Sequence, residues 1–295
     1  MTNLASWIAS GPVILDGGWG TQLQLHGLEV GAHPDLWNLT APEKVEQVAR
    51  AYVAAGSQVI LTNTFGATKF TLEKHGYATK VAEVNRAGVE ISKRATAGTP
   101  TQVFASMGPT GIMLMMGKVK PEELYDAFLE QAVAIASAGA DAIVVETMSD
   151  PAEAALAVKA AKSTELPVAV SFVFDSGKDK DRTMMGTTPE QVVQLMADAG
   201  ADIIGSNCGQ GIDGFIPICR RMRAVTTLPL WMKANAGLPE VVDGVTVYRQ
   251  LPETFAEKAR ELVEAGANFI GGCCGTSPGF IRALVAGLRE AGGTV

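Results

Sequence analysis

Four times along this 295-residue chain a helix-like segment ends in an Ala-Gly pair and gives way at once to a β-rich run. The joins are Ala55-Gly56-Ser57, Ala138-Gly139-Ala140-Asp141, Ala199-Gly200-Ala201-Asp202 and Ala265-Gly266-Ala267-Asn268. Glycine suits the left-handed turn that closes a helix, and small neighbours let the chain pass beneath a sheet. These joins precede the second, fourth, sixth and eighth of eight strand-like runs: Val13–Gly18, Val59–Phe65, Gln102–Gly108, Ala142–Thr147, Pro167–Phe174, Ile203–Cys208, Pro229–Asn235 and Asn268–Cys274. Segments between them keep helical spacing. In Pro42–Gly56 the apolar residues Val45, Val48, Ala49, Tyr52 and Val53 recur at i, i+3 and i+4. Thr188 and Pro189 read as an N-cap and first helical position, followed by the stripe Val192, Val193 and Met196. Eight βα units of roughly 37 residues each match a single (β/α)8 TIM-type barrel over residues 1–295. A doubly wound sheet would tend to carry Gly-x-Gly-x-x-Gly after its first strand, and Asp16-Gly17-Gly18-Trp19-Gly20-Thr21 does not fit that pattern.

The net charge of −7 leaves no basic footprint for nucleic acid and no attraction to anionic lipid. With 47% hydrophobic and 19% charged residues the chain can bury a large core. No apolar run reaches the roughly 18 residues that span a bilayer. Met1–Ser10 lacks a basic stretch followed by an apolar block, so a cytoplasmic location is expected.

In a barrel of this kind the chemistry sits at the C-terminal ends of the strands. That rule alone singles out Asp16, Asn63, Glu146, Cys208, Asn235, Cys273 and Cys274. Four cysteines do not make a disulfide framework in a chain this long. Strands six and eight are separated only by strand seven, so three thiols can converge above the barrel. Adjacent strand residues point to opposite faces. Cys273 and Cys274 both turn inward only if the strand breaks, and Gly271, Gly272 and Gly275 give that freedom. Three thiolates suit zinc, with the fourth tetrahedral position left for water or substrate. The plainer reading is three buried, inert cysteines; Cys219, inside a helix-like segment, reads as packing. A free thiol with a pKa of about 8.5 is only a few per cent ionised near pH 7, and metal coordination deprotonates it. The expected chemistry is therefore S-alkylation of a small thiol. A structural zinc barrel and a phosphate-binding barrel are the rival classes.

Taken together, Asp16–Thr21, Thr62-Asn63-Thr64-Phe65-Gly66-Ala67, Gly108-Pro109-Thr110-Gly111, Val145-Glu146-Thr147, Gly205-Ser206-Asn207-Cys208, Asn235-Ala236-Gly237 and Gly271–Thr276 form a specific joint pattern. The chain resembles the homocysteine S-methyltransferase family over roughly Pro12 to Leu288, and is similar to the zinc module of cobalamin-dependent methionine synthase. The resemblance implies that Cys208, Cys273 and Cys274 hold zinc and that homocysteine sulfur completes the coordination. It implies that Glu146 meets the substrate amino group, that Asp16, Gly17 and Gly18 hold the amino-acid ends, and that Asn235 stands beside the metal as a catalytic residue. The residues themselves leave second readings open: Glu146 as the partner of a barrel lysine such as Lys233, Asp16 as a turn or helix cap, Asn235 as a partner of loop backbone.

The likeness of Gly108–Gly111 and of Asp243–Tyr248 to the methionine synthase branch points to a methyl donor of the methylcobalamin type, carried on a separate corrinoid protein. S-methylmethionine and betaine are the alternative donors. Onium donors favour an aromatic surround, for which Trp19, Phe65 and Phe174 are candidates. The apolar, glycine-bracketed loop Gly111–Gly117, with Met113, Met115 and Met116, is expected to receive the donor or its carrier, or else to fold onto the barrel wall.

Overall fold

The computed structural model describes residues 4–242 and 245–290; Asp243 and Gly244, at the start of one stretch read above for the donor, lie outside them. Its eight-stranded parallel sheet comprises β1 (Val13–Ile14), β2 (Val59–Leu61), β3 (Gln102–Met107), β4 (Ala142–Met148), β5 (Val168–Phe172), β6 (Ile203–Gly211), β7 (Leu230–Asn235) and β8 (Phe269–Gly272). The strands are ordered β1-β8-β7-β6-β5-β4-β3-β2 and helices surround them, giving a single (β/α)8 barrel. Between β1 and β2 side chains help close the ring. Gln58 N–H donates to the Ile14 carbonyl at 2.7 Å, and its Oε1 accepts from Ile14 N–H at 2.8 Å. Asp16 Oδ2 accepts from Leu61 N–H at 2.7 Å.

The recurrent joins carry more than a turn. Gly56, Gly139, Gly200 and Gly266 all have positive φ, between 88° and 104°. Two residues beyond each, a side-chain oxygen accepts the N–H of a residue at or near the start of the preceding strand. Gln58 serves Ile14, Asp141 serves Val103 at 2.7 Å, Asp202 serves Val168 at 2.8 Å and Asn268 serves Leu230 at 3.0 Å. The repeat thus ties β1 to β2, β3 to β4, β5 to β6 and β7 to β8, meeting strand-end donors that burial would otherwise leave unpaired. Helices follow the expected spacing: Pro42–Ala55 buries Val45, Val48, Ala49 and Tyr52, and Pro189–Asp198 buries Val192, Val193 and Met196 behind a Thr188 cap. Val53 is only partly buried against the core.

Two apolar layers fill the molecule. One lies between strands and helices; the other fills the barrel, where Leu15, Leu61, Phe104, Val144 and Trp231 meet. Helix Leu4–Ile8 packs beneath the inner layer, with the Trp7 ring centroid 4.9 Å from that of Phe104. Trp7→Ala removes an aromatic ring from this contact. It is expected to lower unfolding stability by roughly 2 kcal/mol in urea titrations, leaving the opposite mouth of the barrel unchanged. Among the described residues no helix is long and apolar enough to cross a membrane.

Candidate metal centre and substrate cavity

Strand alternation places residues i and i+2 on the same face. One step above the apolar filling, the inward positions therefore turn polar: Ser106 follows Phe104, Glu146 follows Val144, Ser171 follows Ala169 and Lys233 follows Trp231. All four are buried. Ser106, Glu146 and Lys233 form the floor region of a cavity of about 510 Å³ at the C-terminal ends of the strands, which Cys208, Cys273 and Cys274 also help to line; Ser171 instead donates to Asn207 Oδ1.

Two backbone irregularities bring the cysteines there. The pairing of β6 with β7 shifts register between Asn207 and Gly211, and Cys208 sits in the left-handed region at φ 63°. Such a conformation is unusual for a non-glycine residue, and it lets Asn207 and Cys208 both reach the cavity side. β8 ends at Gly272, so Cys273 and Cys274 leave the strand before alternation can separate them. Gly275, at φ 79°, completes the turn. The loop after β1 packs closely against this turn: a Cβ on Gly18 would stand 2.6 Å from the Cys273 carbonyl oxygen. Gly18 N–H donates to Thr276 Oγ1 at 3.1 Å. Gly18 is thus a glycine because the cysteine turn occupies the space of a side chain, and Gly17 because Tyr52 and the Thr276 hydroxyl do.

The three sulfurs lie within 4.8 Å of one another, and Cys208 and Cys274 are 3.8 Å apart. A tetrahedral zinc with bonds of about 2.3 Å separates its sulfur ligands by about 3.8 Å. Each sulfur also has its own polar neighbour. The Asn207 amide donates toward Cys273 Sγ at 3.9 Å. Asn235 stands close to Cys208 and Tyr248 close to Cys274, each favouring the thiolate of its neighbour. Hydrogen bonds from Cys273 and Cys274 push the Cys208 thiol well below its usual range; the same sharing pushes Cys273 and Cys274 up. Three crowded sulfurs without a cation hold protons between them, and a cation is what lets all three ionise together. The donor set therefore fits a zinc ion. Cys219 is elsewhere, buried in helix Ile212–Arg223 with its thiol against the Ala265 carbonyl, and burial pushes its pKa up to about 12.

Glu146 Oε1 accepts from Ser106 Oγ, while Oε2 carries no hydrogen bond among the described residues. Burial raises its pKa, against the opposing pull of Lys233 and the Ser106 hydrogen bond. Lys233 does not take Glu146 as its bonded partner. Its Nζ pairs with Asp16 Oδ1 at 2.5 Å. Burial alone would lower the Lys233 pKa; the negative charges of Asp16, Glu146 and Cys273 outweigh it and raise it. Asp16 is 0% exposed, and its second oxygen accepts from Trp19 Nε1 at 2.6 Å and from Leu61 N–H. The structure thus places the Asp16 carboxylate behind the cavity wall, holding Lys233, Trp19 and β2 together, while Gly17 and Gly18 line the cavity. Asn235 lies beside the cysteines with its Oδ1 committed to Cys274 N–H at 3.1 Å. Asn63 lines the upper wall, with its amide bonded to the Pro34 carbonyl and to Asn38.

Trp19 and Phe65 line the cavity, whereas Phe174 is buried in the outer core and does not. In the loop after β3, Ile112 and Leu114 pack on the core while Met113, Met115 and Met116 are exposed, Met115 by 71%. Ser106, Asn207, Lys233 and Tyr248 escaped the strand-end rule. Ser106 and Lys233 lie one and two residues short of the ends of β3 and β7, where the two-residue alternation from Phe104 and Trp231 reaches them; Asn207 lies within β6, just before its register shift, and Tyr248 lies beyond a hairpin inserted after β7 and carries no local signal.

A parallel barrel with three thiols gathered at its C-terminal mouth, above an acid and a lysine, has the architecture of a metal-dependent enzyme for small substrates. A family model described as homocysteine S-methyltransferase matches residues 13–288, and the chain belongs to that family. It is 30% identical to a methionine synthase of Mycobacterium leprae (strain TN) over 98% of its own length and 25% of the relative's. A methionine synthase of Mycobacterium tuberculosis (strain ATCC 25618 / H37Rv) is 29% identical over 98% and 26%. The chain thus spans about a quarter of the length of these curated relatives. Among solved structures, the metallated form of the homocysteine methyltransferase MmuM from Escherichia coli superposes with a TM-score of 0.77 at 25% identity, covering 93% of this chain and 96% of that one.

Proposed function

We propose that the chain transfers a methyl group to the thiol of homocysteine, giving methionine, at a zinc ion held by Cys208, Cys273 and Cys274. The observation that carries this reading is the convergence of three sulfurs at one end of a cavity that also exposes a buried carboxylate, Glu146. Zinc bound there supplies a site at which a substrate thiol is held as thiolate, the nucleophilic form. The chain's own residues do the rest. Glu146, oriented by Ser106, accepts the substrate ammonium through its unbonded oxygen. Gly17 and Gly18 form the wall along which the amino acid lies. Asn207, Asn235 and Tyr248 hold the three sulfurs in place, which makes Asn235 a positioning residue. Burial of the floor strengthens each of these charge interactions.

For the donor, the proposal is a methylcorrinoid presented by a separate protein. Exposed methionines at the mouth support it: Met113, Met115 and Met116 from one loop, with Met184 and Met185, also exposed, from the loop after β5. Methionine is adaptable and suits transient docking, and exposed apolar groups of this size mark interaction surfaces. Replacing Met115 and Met116 by serine is expected to raise the KM for a methylcorrinoid protein several-fold, with zinc content and homocysteine binding unchanged. A second reading, a small onium donor such as S-methylmethionine or betaine, is favoured by Trp19 and Phe65 on the cavity wall. Steady-state assays of the zinc-loaded protein with homocysteine and each donor in turn decide between them. Turnover with S-methylmethionine or betaine and none with any corrinoid would overturn the carrier reading; no turnover with any donor would count against homocysteine methylation itself.

A further inference from the structure

Two buried acids, Asp35 and Glu153, take no part in the chemistry proposed above, and each holds the backbone of a loop at the barrel mouth. Asp35 Oδ2 accepts the Gly66 N–H at 2.7 Å. The His33 ring, 3.5 Å from that carboxylate, donates its Nε2–H to the Gly66 carbonyl at 3.1 Å. The loop after β2 is thus gripped on both sides of one residue. A Cβ on Gly66 would stand 2.9 Å from Asp35 Oδ2 and 3.0 Å from the His33 ring, so the grip requires a glycine. Glu153, in the helix Pro151–Lys162, does the same for the loop after β3. Its Oε1 accepts Thr110 N–H at 2.8 Å and Thr110 Oγ1 at 2.6 Å. Thr110 Oγ1 in turn accepts Ile112 N–H at 3.1 Å. Burial raises the pKa of both acids, that of Asp35 to about 7, and their hydrogen bonds to the loops oppose the rise. The two loops join at Gly108. Its N–H donates to the Phe65 carbonyl at 2.7 Å, and the Phe65 ring lies so close that a Cβ on Gly108 would stand 2.5 Å from it.

What the two grips hold in place is apolar and exposed. Phe65 lines the cavity mouth with 40% of its surface open. On the next loop Ile112 and Leu114 pack down while Met113, Met115 and Met116 stand out. Burying a carboxyl is costly unless it is hydrogen-bonded, so two of them committed to neighbouring loops mark a surface whose position matters. Resting on the corrinoid reading of the donor, we propose that Asp35 and Glu153 are positioning residues for methyl transfer: they hold the loops after β2 and β3 as one apolar platform on which the methylcorrinoid settles with its methyl group toward the cavity. The platform runs from the cavity wall at Phe65 to methionines outside the cavity lining, a span that a small onium donor does not use. A preordered platform lowers the entropy cost of seating a large donor. It also fixes the approach of the methyl group, where a shift of about 1 Å can cost a hundredfold in rate.

The test reads loop order and turnover separately. Glu153→Leu and Asp35→Leu remove an acceptor and keep apolar bulk. Glu153→Gln and Asp35→Asn keep an acceptor oxygen and serve as the rescue. Zinc content and thermal unfolding verify each protein. Amide hydrogen exchange of the two loops reports their order, calorimetry reports homocysteine affinity, and steady-state assays with methylcobalamin report the donor step. Each leucine variant is expected to exchange about tenfold faster in its own loop and to lose about tenfold in kcat/KM for methylcobalamin, the scale of one hydrogen bond to a charged group. Homocysteine affinity is expected to stay within about twofold of wild type, and the glutamine and asparagine variants within about threefold on every measure. Unaltered exchange in the leucine variants, or loosened loops with full methylcobalamin turnover, overturns the proposal. So does a loss of homocysteine affinity that matches the loss of donor turnover, since general damage to the mouth gives that result. If the leucine variants fail to fold, Thr110→Val removes only the hydroxyl half of the Glu153 grip, and changes of about threefold in exchange and in kcat/KM are then expected. Wild type that uses S-methylmethionine or betaine and no corrinoid would sink the carrier reading and this proposal together. Exchange is measured without any donor, so a failure of the grips is told apart from a failure of that reading.

Discussion

Cys273→Ala is expected to purify with far less than one zinc per chain and to lose methyl transfer entirely, and Cys208→Ala and Cys274→Ala are expected to do the same. The expectation follows from the number of donors. Three sulfurs lie within 4.8 Å of one another, and among the described residues they are the one group of histidine, cysteine or acidic side chains close enough to hold a metal. Removing one leaves two thiols, below the three protein ligands that catalytic zinc sites keep. The affinity of thiolate sites for zinc is large, with apparent binding energies of about 10–16 kcal/mol in small structural sites, so loss of a third of the ligands is not a subtle effect. Metal analysis of the purified variants, alongside activity, makes the check. Cys219→Ala supplies the control: its thiol lies against the Ala265 carbonyl in the outer core, and that variant is expected to keep both zinc and activity. Full metal occupancy with normal turnover in Cys273→Ala would remove the cysteines from the centre of the site.

How much of this could be read from the chain depends on the range of the forces involved. The barrel was legible because its cause is local and repeated. The Ala-Gly joins and the helical stripes act over a few residues, and all eight strand-like runs correspond to strands, most of them longer in the sequence reading than in the ladder. β1 is the clearest case. Val13–Gly18 reads as one strand; β1 is assigned only Val13–Ile14, yet Leu15 N–H still donates to Ile270 and the Asp16 carbonyl accepts from Gly272 N–H, and the chain leaves β8 only at Gly17 and Gly18, where Gly18 turns to Thr276. The acceptor role of Gln58, Asp141, Asp202 and Asn268 was visible as a repeated position but not as a function, since its partners lie 34 to 44 residues away. The cysteines were legible because a Cys pair among glycines at a strand end is a poor core solution. The partnership of Asp16 with Lys233 was not, for it spans 217 residues and joins opposite ends of the chain. With the lysine hydrogen-bonded to Asp16, the second oxygen of Glu146 carries no hydrogen bond among the described residues, although the Lys233 charge still acts on it.

Glu146→Gln is expected to raise the homocysteine KM by about tenfold to a hundredfold while zinc content stays at the wild-type level. The carboxylate is fully enclosed by burial apart from its face to the cavity, and Ser106 fixes one of its oxygens. A hydrogen bond to a charged partner in such surroundings is worth about 1.5–3 kcal/mol, which corresponds to that range in KM. Glutamine keeps the shape and can still meet Ser106, so packing of the floor changes little; what it removes is the negative charge that the substrate ammonium meets. The effect is therefore expected in KM more than in kcat, because the ammonium contact is made equally in the bound substrate and in the transition state. The control is a thiol that carries the carboxylate but no amino group, 4-mercaptobutyrate. Its binding to the zinc protein is expected to be little changed or improved by Glu146→Gln, since a buried negative charge near its chain has been removed. Loss of zinc in Glu146→Gln would instead mean that the carboxylate supports the metal site. An unchanged homocysteine KM would mean that the ammonium is held elsewhere.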